Sequence, residues 1–402
     1  MWSVGVLAFS LTVMHRTTLG VAGIDASQRL DISPAALSAV VLAQTAVFLA
    51  LQIPSGFLVD RWGSRTVLVG GAVLIALGQA CVALARDLPL LVAGRVLIGV
   101  ADSLVLVGTL ALVPRWFKAS QVPLMTQLTT LSGQIGQVLS AVPFLYLLNV
   151  GGWTAAFSSA AVTSLLCAVL VAVVVRDHPG AVHERGRRPH VPAEGVGATL
   201  RTVWRRAGTR LGFFTHLATQ FPMMAFSLLW GVPYLTAGQG LSPGQSGVVF
   251  TVMAVTTFAV APLMGLAQQR RPRRRTPLAL GATTVTVLVW TIVLLLPPPV
   301  PPWLLIVLAL ALALGGPASV IGFDLARTSN PPHHLGLAQS VVNTGGFTAT
   351  LAVIVLMGVV LDATGGYTPT GFRQAWLVMY PFWALGVVGV LINGRRVSAF
   401  TE

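Results

Sequence analysis

Three charged residues stand inside otherwise apolar stretches of this 402-residue chain, and their types suggest a site that exchanges one ionic partner for another. Arg95, Gly99 and Asp102 are spaced i, i+4 and i+7, so they share one face of a helix. Arg16 follows His15 in an apolar run that starts almost at Met1, roughly two-thirds of the way across a bilayer at about 1.5 Å per residue. A fixed cation at that depth is costly and is a functional group by default. Asp102 is its natural partner. While they are paired, the two charges cancel; an incoming carboxylate or phosphate can displace the acid with a bidentate contact of its own to Arg16. Protonation of Asp102 would then release Arg16 for the substrate. Two structural alternatives stand beside this reading: a permanent cluster of Arg16, Arg95 and Asp102, or an Arg16 that only bonds carbonyls or an acid on a neighbouring helix.

Further polar candidates lie later in the chain. His216 and Gln220 are four apart on one helical face, directed either at a cavity or at interhelical hydrogen bonds. Asn343-Thr344-Gly345-Gly346-Phe347 precedes Gly358, Asp362, Thr364 and Gly365; close helix packing explains the glycines as well as an anion site does, and Asn343 alone is assigned to the cavity. Asp324 and Arg327 read as a pair at the cytoplasmic surface. His178, His183 and His190 fall in a polar connector and His333-His334 in a short loop, so no metal site, cofactor or catalytic group is expected.

The elements that must position these residues are set by composition. With 55% hydrophobic and 9% charged residues and a mean hydropathy of +0.81, the chain is a polytopic membrane protein. Its apolar stretches of about 20 residues match helices crossing a core of roughly 30 Å, and a membrane barrel would need short alternating segments instead. Twelve spans are expected near 2–23, 36–57, 66–85, 89–111, 123–146, 155–175, 211–235, 246–267, 277–296, 303–325, 336–361 and 374–393. Segment 1–175 then forms one six-helix bundle, 176–210 a basic cytoplasmic linker and 211–402 a second six-helix bundle. His15 and Arg16 make the first span unlike the plain apolar core of a signal peptide. Cys81 and Cys167 fall inside spans as packing residues.

The formal charge of +14 would suggest nucleic acid in a soluble protein. Here its placement gives the explanation, and no nucleic-acid partner is expected. Twenty of the 25 Lys and Arg residues fall in connectors on the side that includes Arg61, Arg270 and Arg395, against three, Arg29, Arg86 and Arg373, on the other. This bias puts both termini in the cytoplasm, with the protein in the cell membrane. The linker can touch anionic lipid, or simply remain a solvated topology determinant. The protein is expected to work as a monomer.

Between the second and third spans lies Pro54-Ser55-Gly56-Phe57-Leu58-Val59-Asp60-Arg61-Trp62-Gly63-Ser64-Arg65-Thr66, read as a tight cytoplasmic connector. Gly56 and Gly63 permit close helix approach and a sharp turn. Asp60 can dock on the positive end of the span that begins after Asn330-Pro331-Pro332; the bland alternative is a solvated pair of Asp60 and Arg61. Aligning Gly56 with Gly265 places Arg61 on Arg270, Arg65 on Arg274 and Gly136 on Gly345, a weak repeat that supports two related halves. In the second copy Gln269 stands where Asp60 stands in the first.

The connector resembles the signature loop of the major facilitator superfamily, roughly Gly-x-x-x-Asp-Arg-x-Gly-Arg-Arg, with Gly56, Asp60, Arg61, Gly63 and Arg65 in place and Ser64 replacing a basic residue. The resemblance implies a twelve-helix, all-α fold of two pseudo-symmetric bundles, with this loop controlling the gate. The run from His15 to Ala22 is similar to the Asp-Arg-x-x-Leu-Ser-Val-Ala segment of the anion:cation symporter branch, in which the Arg lines the substrate cavity; His15 replaces the acid. The segment from Arg95 to Asp102 resembles an Arg-x-x-x-Gly-x-x-Glu pattern whose acid takes part in proton coupling. These likenesses imply a secondary transporter of a small organic anion, symported with protons. Two other readings stay open: a proton-driven exporter of drugs or metabolites, which the absence of a Gly-Pro-Gly-Gly element in the fifth span disfavours, and a transporter-like sensor without flux.

Overall fold

The computed structural model describes residues 1–32, 34–177, 196–364 and 366–398. The linker residues Arg185, Arg187, Arg188, His178, His183 and His190, together with Gly365, lie outside that description. Among the described residues the regular structure is helical throughout.

Nine helices among the described residues are long and apolar enough to cross a membrane. Two of them contain a backbone break: Gln52–Leu84 at Gly63 (φ 83°) and Leu145–Val174 at Gly152 (φ 72°). Together with Pro34–Ala50, Val122–Leu139 and Ala207–Ala225, they make twelve spans. Span 1 is Trp2–Val21, span 2 covers 34–62, span 3 64–84, span 4 Leu88–Trp116, span 5 122–151 and span 6 153–174. Span 7 covers 207–238, span 8 is Pro243–Arg270, span 9 Arg275–Leu295, span 10 Pro302–Ser329, span 11 Leu335–Ala363 and span 12 Pro369–Arg395.

The connectors are tighter than the sequence suggests. Helical structure runs to Trp62 and resumes at Ser64, so one residue in the left-handed region replaces the expected connector at 58–65. Only glycine enters that region without steric cost. Gly152 does the same where a loop was expected over 147–154. The linker holds a helix of its own, Val196–Arg205, and span 7 starts at Ala207 rather than 211. Elsewhere local chemistry sets the ends: Asp87 caps span 4 by accepting from the Leu90 N–H at 2.9 Å, and Ser242 with Gln245 forms a capping box before span 8.

By its contacts the chain divides into two compact units. The first comprises Met1–Ala119, Leu128–Leu200 and Pro331–Ser340; the second comprises Ser120–Gln127, Arg201–Asn330 and Val341–Glu402. Leu19, Leu91, Phe144, Trp153 and Phe157 pack in one core of the first unit, where the Trp153 indole donates to the Val82 carbonyl at 2.8 Å. Phe226, Tyr234, Trp290 and Trp376 centre the second, with the Trp290 and Trp376 rings 4.6 Å apart. Span 7 wraps this cluster through two π-helical turns, Phe226–Trp230 and Tyr234–Gly238. Apolar side chains such as Leu84, Val173 and Leu295 remain exposed, as a lipid-facing belt requires.

Candidate substrate and proton site

Spans 1 and 4 bring Arg16 and Asp102 together. The Arg16 Nη1 lies 3.4 Å from the Asp102 Oδ2; the Asp102 side chain is buried, while that of Arg16 keeps 31% of its surface exposed. This separation exceeds the roughly 2.7–2.9 Å of a charge-assisted hydrogen bond. Neither Asp102 oxygen has a hydrogen-bond partner. The contact is therefore mainly coulombic, and the guanidinium has donors left for another anion. Phe48 of span 2 supports it from one side, with its ring centroid 5.8 Å from the Arg16 Cζ.

Arg95 shares the face of span 4 but does different work. Fully buried, it donates to the carbonyls of His15 at 3.2 Å and Arg16 at 2.7 Å and to the Thr18 hydroxyl at 3.3 Å. It braces span 1 at the level of His15 and Arg16. His15 is also fully buried. Its Nδ1 meets the Gln79 amide at 3.0 Å and its Nε2 the Ser164 hydroxyl at 2.6 Å, which leaves no ring nitrogen for a ligand. Gln79, Ser164 and Thr18 form a polar network that the sequence reading missed; a Gln within the apolar run of span 3 was its only signal.

In the second unit the buried His216 and the half-buried Gln220 converge on Gly346 of span 11, where an added Cβ would collide with both. The His216 Nδ1, the Gln220 Oε1 and the Thr215 hydroxyl have no hydrogen-bond partner. Phe323 covers the His216 ring at 5.0 Å. Asn343, one turn earlier on span 11, is buried as well. The charged residues of this unit sit toward span ends: Asp324 accepts from Arg275 and from Arg327, both at 2.6 Å.

The connector residues form a separate constellation in the first unit. Asp60 accepts from the backbone N–H of Gly336 at 2.8 Å and of Leu337 at 2.8 Å, one bond to each carboxylate oxygen, at the start of span 11. A carboxylate there meets the positive end of the helix dipole. Gly56 makes the approach possible, because a Cβ at that position would lie 2.6 Å from the Gly336 carbonyl and 2.7 Å from the Leu337 Cα. Its counterpart Gly265 packs in the same way on the start of span 5, 2.8 Å from the Leu124 Cα by the same measure. Arg61 is exposed. Arg65 donates through its side chain to the Ala172 carbonyl, at 3.1 Å from Nε, and its own backbone N–H reaches Asp177 at 2.9 Å. Asp177, which also faces Arg115 at 3.6 Å, was absent from the sequence reading; its place just after span 6 was the available clue.

The family model described as Major Facilitator Superfamily matches residues 5–232 and 212–397. The chain belongs to the major facilitator superfamily. It is a multi-pass membrane transporter and not an enzyme. Among curated relatives, the probable galactarate/D-glucarate transporter GudP of Bacillus subtilis (strain 168) is 21% identical over 90% of this chain and 85% of its own length. GudP of Escherichia coli (strain K12) is 22% identical over 88% and 84%. The probable sulfoacetate transporter SauU of Cupriavidus necator is 21% identical over 90% and 86%. The solved structure of the proton:xylose symporter XylE superposes with a TM-score of 0.69 at 16% identity, over 98% of this transporter and 93% of that chain, which fixes the fold.

Proposed function

We propose that this transporter moves a small organic anion across the cell membrane by alternating access, in symport with protons and with both termini in the cytoplasm. The observation that carries the reading is the loose pair of Arg16 and Asp102: a part-exposed guanidinium with spare donors, held 3.4 Å from a buried acid that has no hydrogen bond. A buried carboxylate that accepts no hydrogen bond becomes tolerable without Arg16 at its side once it is protonated. Protonation of Asp102 therefore frees Arg16 to take a carboxylate, and arrival of the anion favours the protonated acid. Arg95 acts as the brace that sets Arg16, and His15 supports the same segment through Gln79 and Ser164. Within the second unit, His216, Gln220 and Asn343 are the residues assigned to substrate contact. The organic-acid transporters among the relatives support the anion class.

Asp60 serves as the latch of the transport cycle, stabilising the outward-facing state through the start of span 11. Gly56, Gly63, Arg61 and Arg65 shape and orient the turn. The 1–175 and 211–402 bundles act as the two moving halves of a monomer, with 176–210 as the tether beside the lipid. Counterflow in proteoliposomes tests the reading: organic acids drive exchange in the wild type, and Arg16→Ala abolishes it. Exchange that survives Arg16→Ala with unchanged half-saturation, or expulsion of cationic dyes instead, would remove the anion site from Arg16.

A further inference from the structure

Among the described acids, Asp102 alone lies in the membrane interior. Asp60 is spent on the start of span 11 and Asp324 on Arg275 and Arg327, both toward the cytoplasmic ends of their spans. Asp362 closes the outer end of span 11. Two guanidiniums share the interior with Asp102, and one of them, Arg95, is committed to carbonyls and a hydroxyl of span 1. Among the described interior residues, that leaves one exchangeable cation and one exchangeable proton site. The groups around Asp102 are Arg16 from span 1 and Arg95 from its own helix, with the Phe48 ring of span 2 against Arg16. His15 has only the neutral Gln79 and Ser164 on its ring, with no acid placed to balance a second positive charge.

We infer that this protein carries a monoanion with one proton, so that transport moves no net charge. The inference rests on the organic-anion reading and goes further, because it sets the charge of the substrate and the stoichiometry. One free guanidinium neutralises one carboxylate. A second carboxylate would find no second uncommitted guanidinium among the described interior residues around Asp102, and an unpaired buried charge is strongly disfavoured. The single acid sets the same limit on coupling: a dianion entering with one proton would carry a net negative charge against an inside-negative potential.

The test uses the full chain in proteoliposomes with D-gluconate and D-glucarate, acids that share a six-carbon skeleton and differ in having one terminal carboxylate or two. Uptake is driven by an imposed pH gradient, an imposed potential, or both. D-gluconate is expected to accumulate on the pH gradient, with a 100 mV inside-negative potential changing its accumulation less than about twofold. Each net charge moved would change it about 50-fold at that potential. D-glucarate is expected to compete at least about tenfold more weakly. A 50-fold potential effect on D-gluconate, or competition by D-glucarate at equal or lower concentration, overturns the inference while leaving anion transport in place. Silence toward both acids in exchange and in thermal stabilisation overturns the organic-anion reading and the inference with it.

Discussion

Replacing Asp60 by Asn removes one charge and one acceptor from the start of span 11 while changing the volume little. In the wild type each carboxylate oxygen accepts one backbone N–H at 2.8 Å, from Gly336 and from Leu337. The amide keeps one acceptor oxygen and turns a donor toward the other N–H, so one bond is lost outright. The surviving bond becomes neutral. A hydrogen bond to a charged group contributes about 1.5–3 kcal/mol, and the dipole interaction adds about 0.3–1 kcal/mol. Losing about 2–4 kcal/mol at this contact corresponds to about 30- to 1,000-fold in the local opening equilibrium. Hydrogen–deuterium exchange of the Gly336 and Leu337 amides reads that opening directly. Faster exchange by about that factor, confined to the start of span 11, is expected together with a lower transport rate. Unchanged exchange at both amides would refute the claim that the Asp60 carboxylate holds this helix end.

Other substitutions test other parts of the account. Gly63→Ala forces a side chain into a backbone with φ 83° and against the Asp177 carboxylate, so it should lower the melting temperature by a few degrees, reflecting about 1–3 kcal/mol, in a thermal unfolding scan. Arg16→Lys keeps the charge and loses the planar fork; the half-saturation for an organic acid should rise about 10- to 100-fold in a counterflow assay, corresponding to about 1.5–3 kcal/mol. Asp324→Asn leaves Arg275 and Arg327 facing each other without their shared acid, and a loss of about 3–5 kcal/mol in stability should appear as a lower melting temperature in detergent.

Much of this organisation was legible because membrane sequences make charge conspicuous. Arg16 and Asp102 stood out against apolar neighbours, and no other interior acid competed for Arg16, so their approach in space followed from the cost of leaving either alone. Residues of ordinary polarity gave no such contrast. Gln79, Ser164 and Thr18 are common types in a helix, and only the packing of spans 1, 3 and 6 makes them partners of His15 and Arg95. Helical spacing put Arg95 on the face of Asp102, but only the fold reveals that its donors reach backbone carbonyls of span 1. The reversals at Gly63 and Gly152 were read as loops because hydropathy falls over several residues while the backbone needs only one glycine to break. Asp177 lies 112 residues from the Arg65 N–H that it accepts, a contact that no local pattern announces.

The central claim is that Asp102 carries the proton whose binding releases Arg16 to the substrate. Asp102→Asn in proteoliposomes tests it most directly, since the amide mimics the protonated acid in shape and charge. Organic-anion exchange in the absence of a pH gradient should persist, and concentrative uptake on an imposed pH gradient should disappear. Concentrative uptake retained by Asp102→Asn would contradict the account.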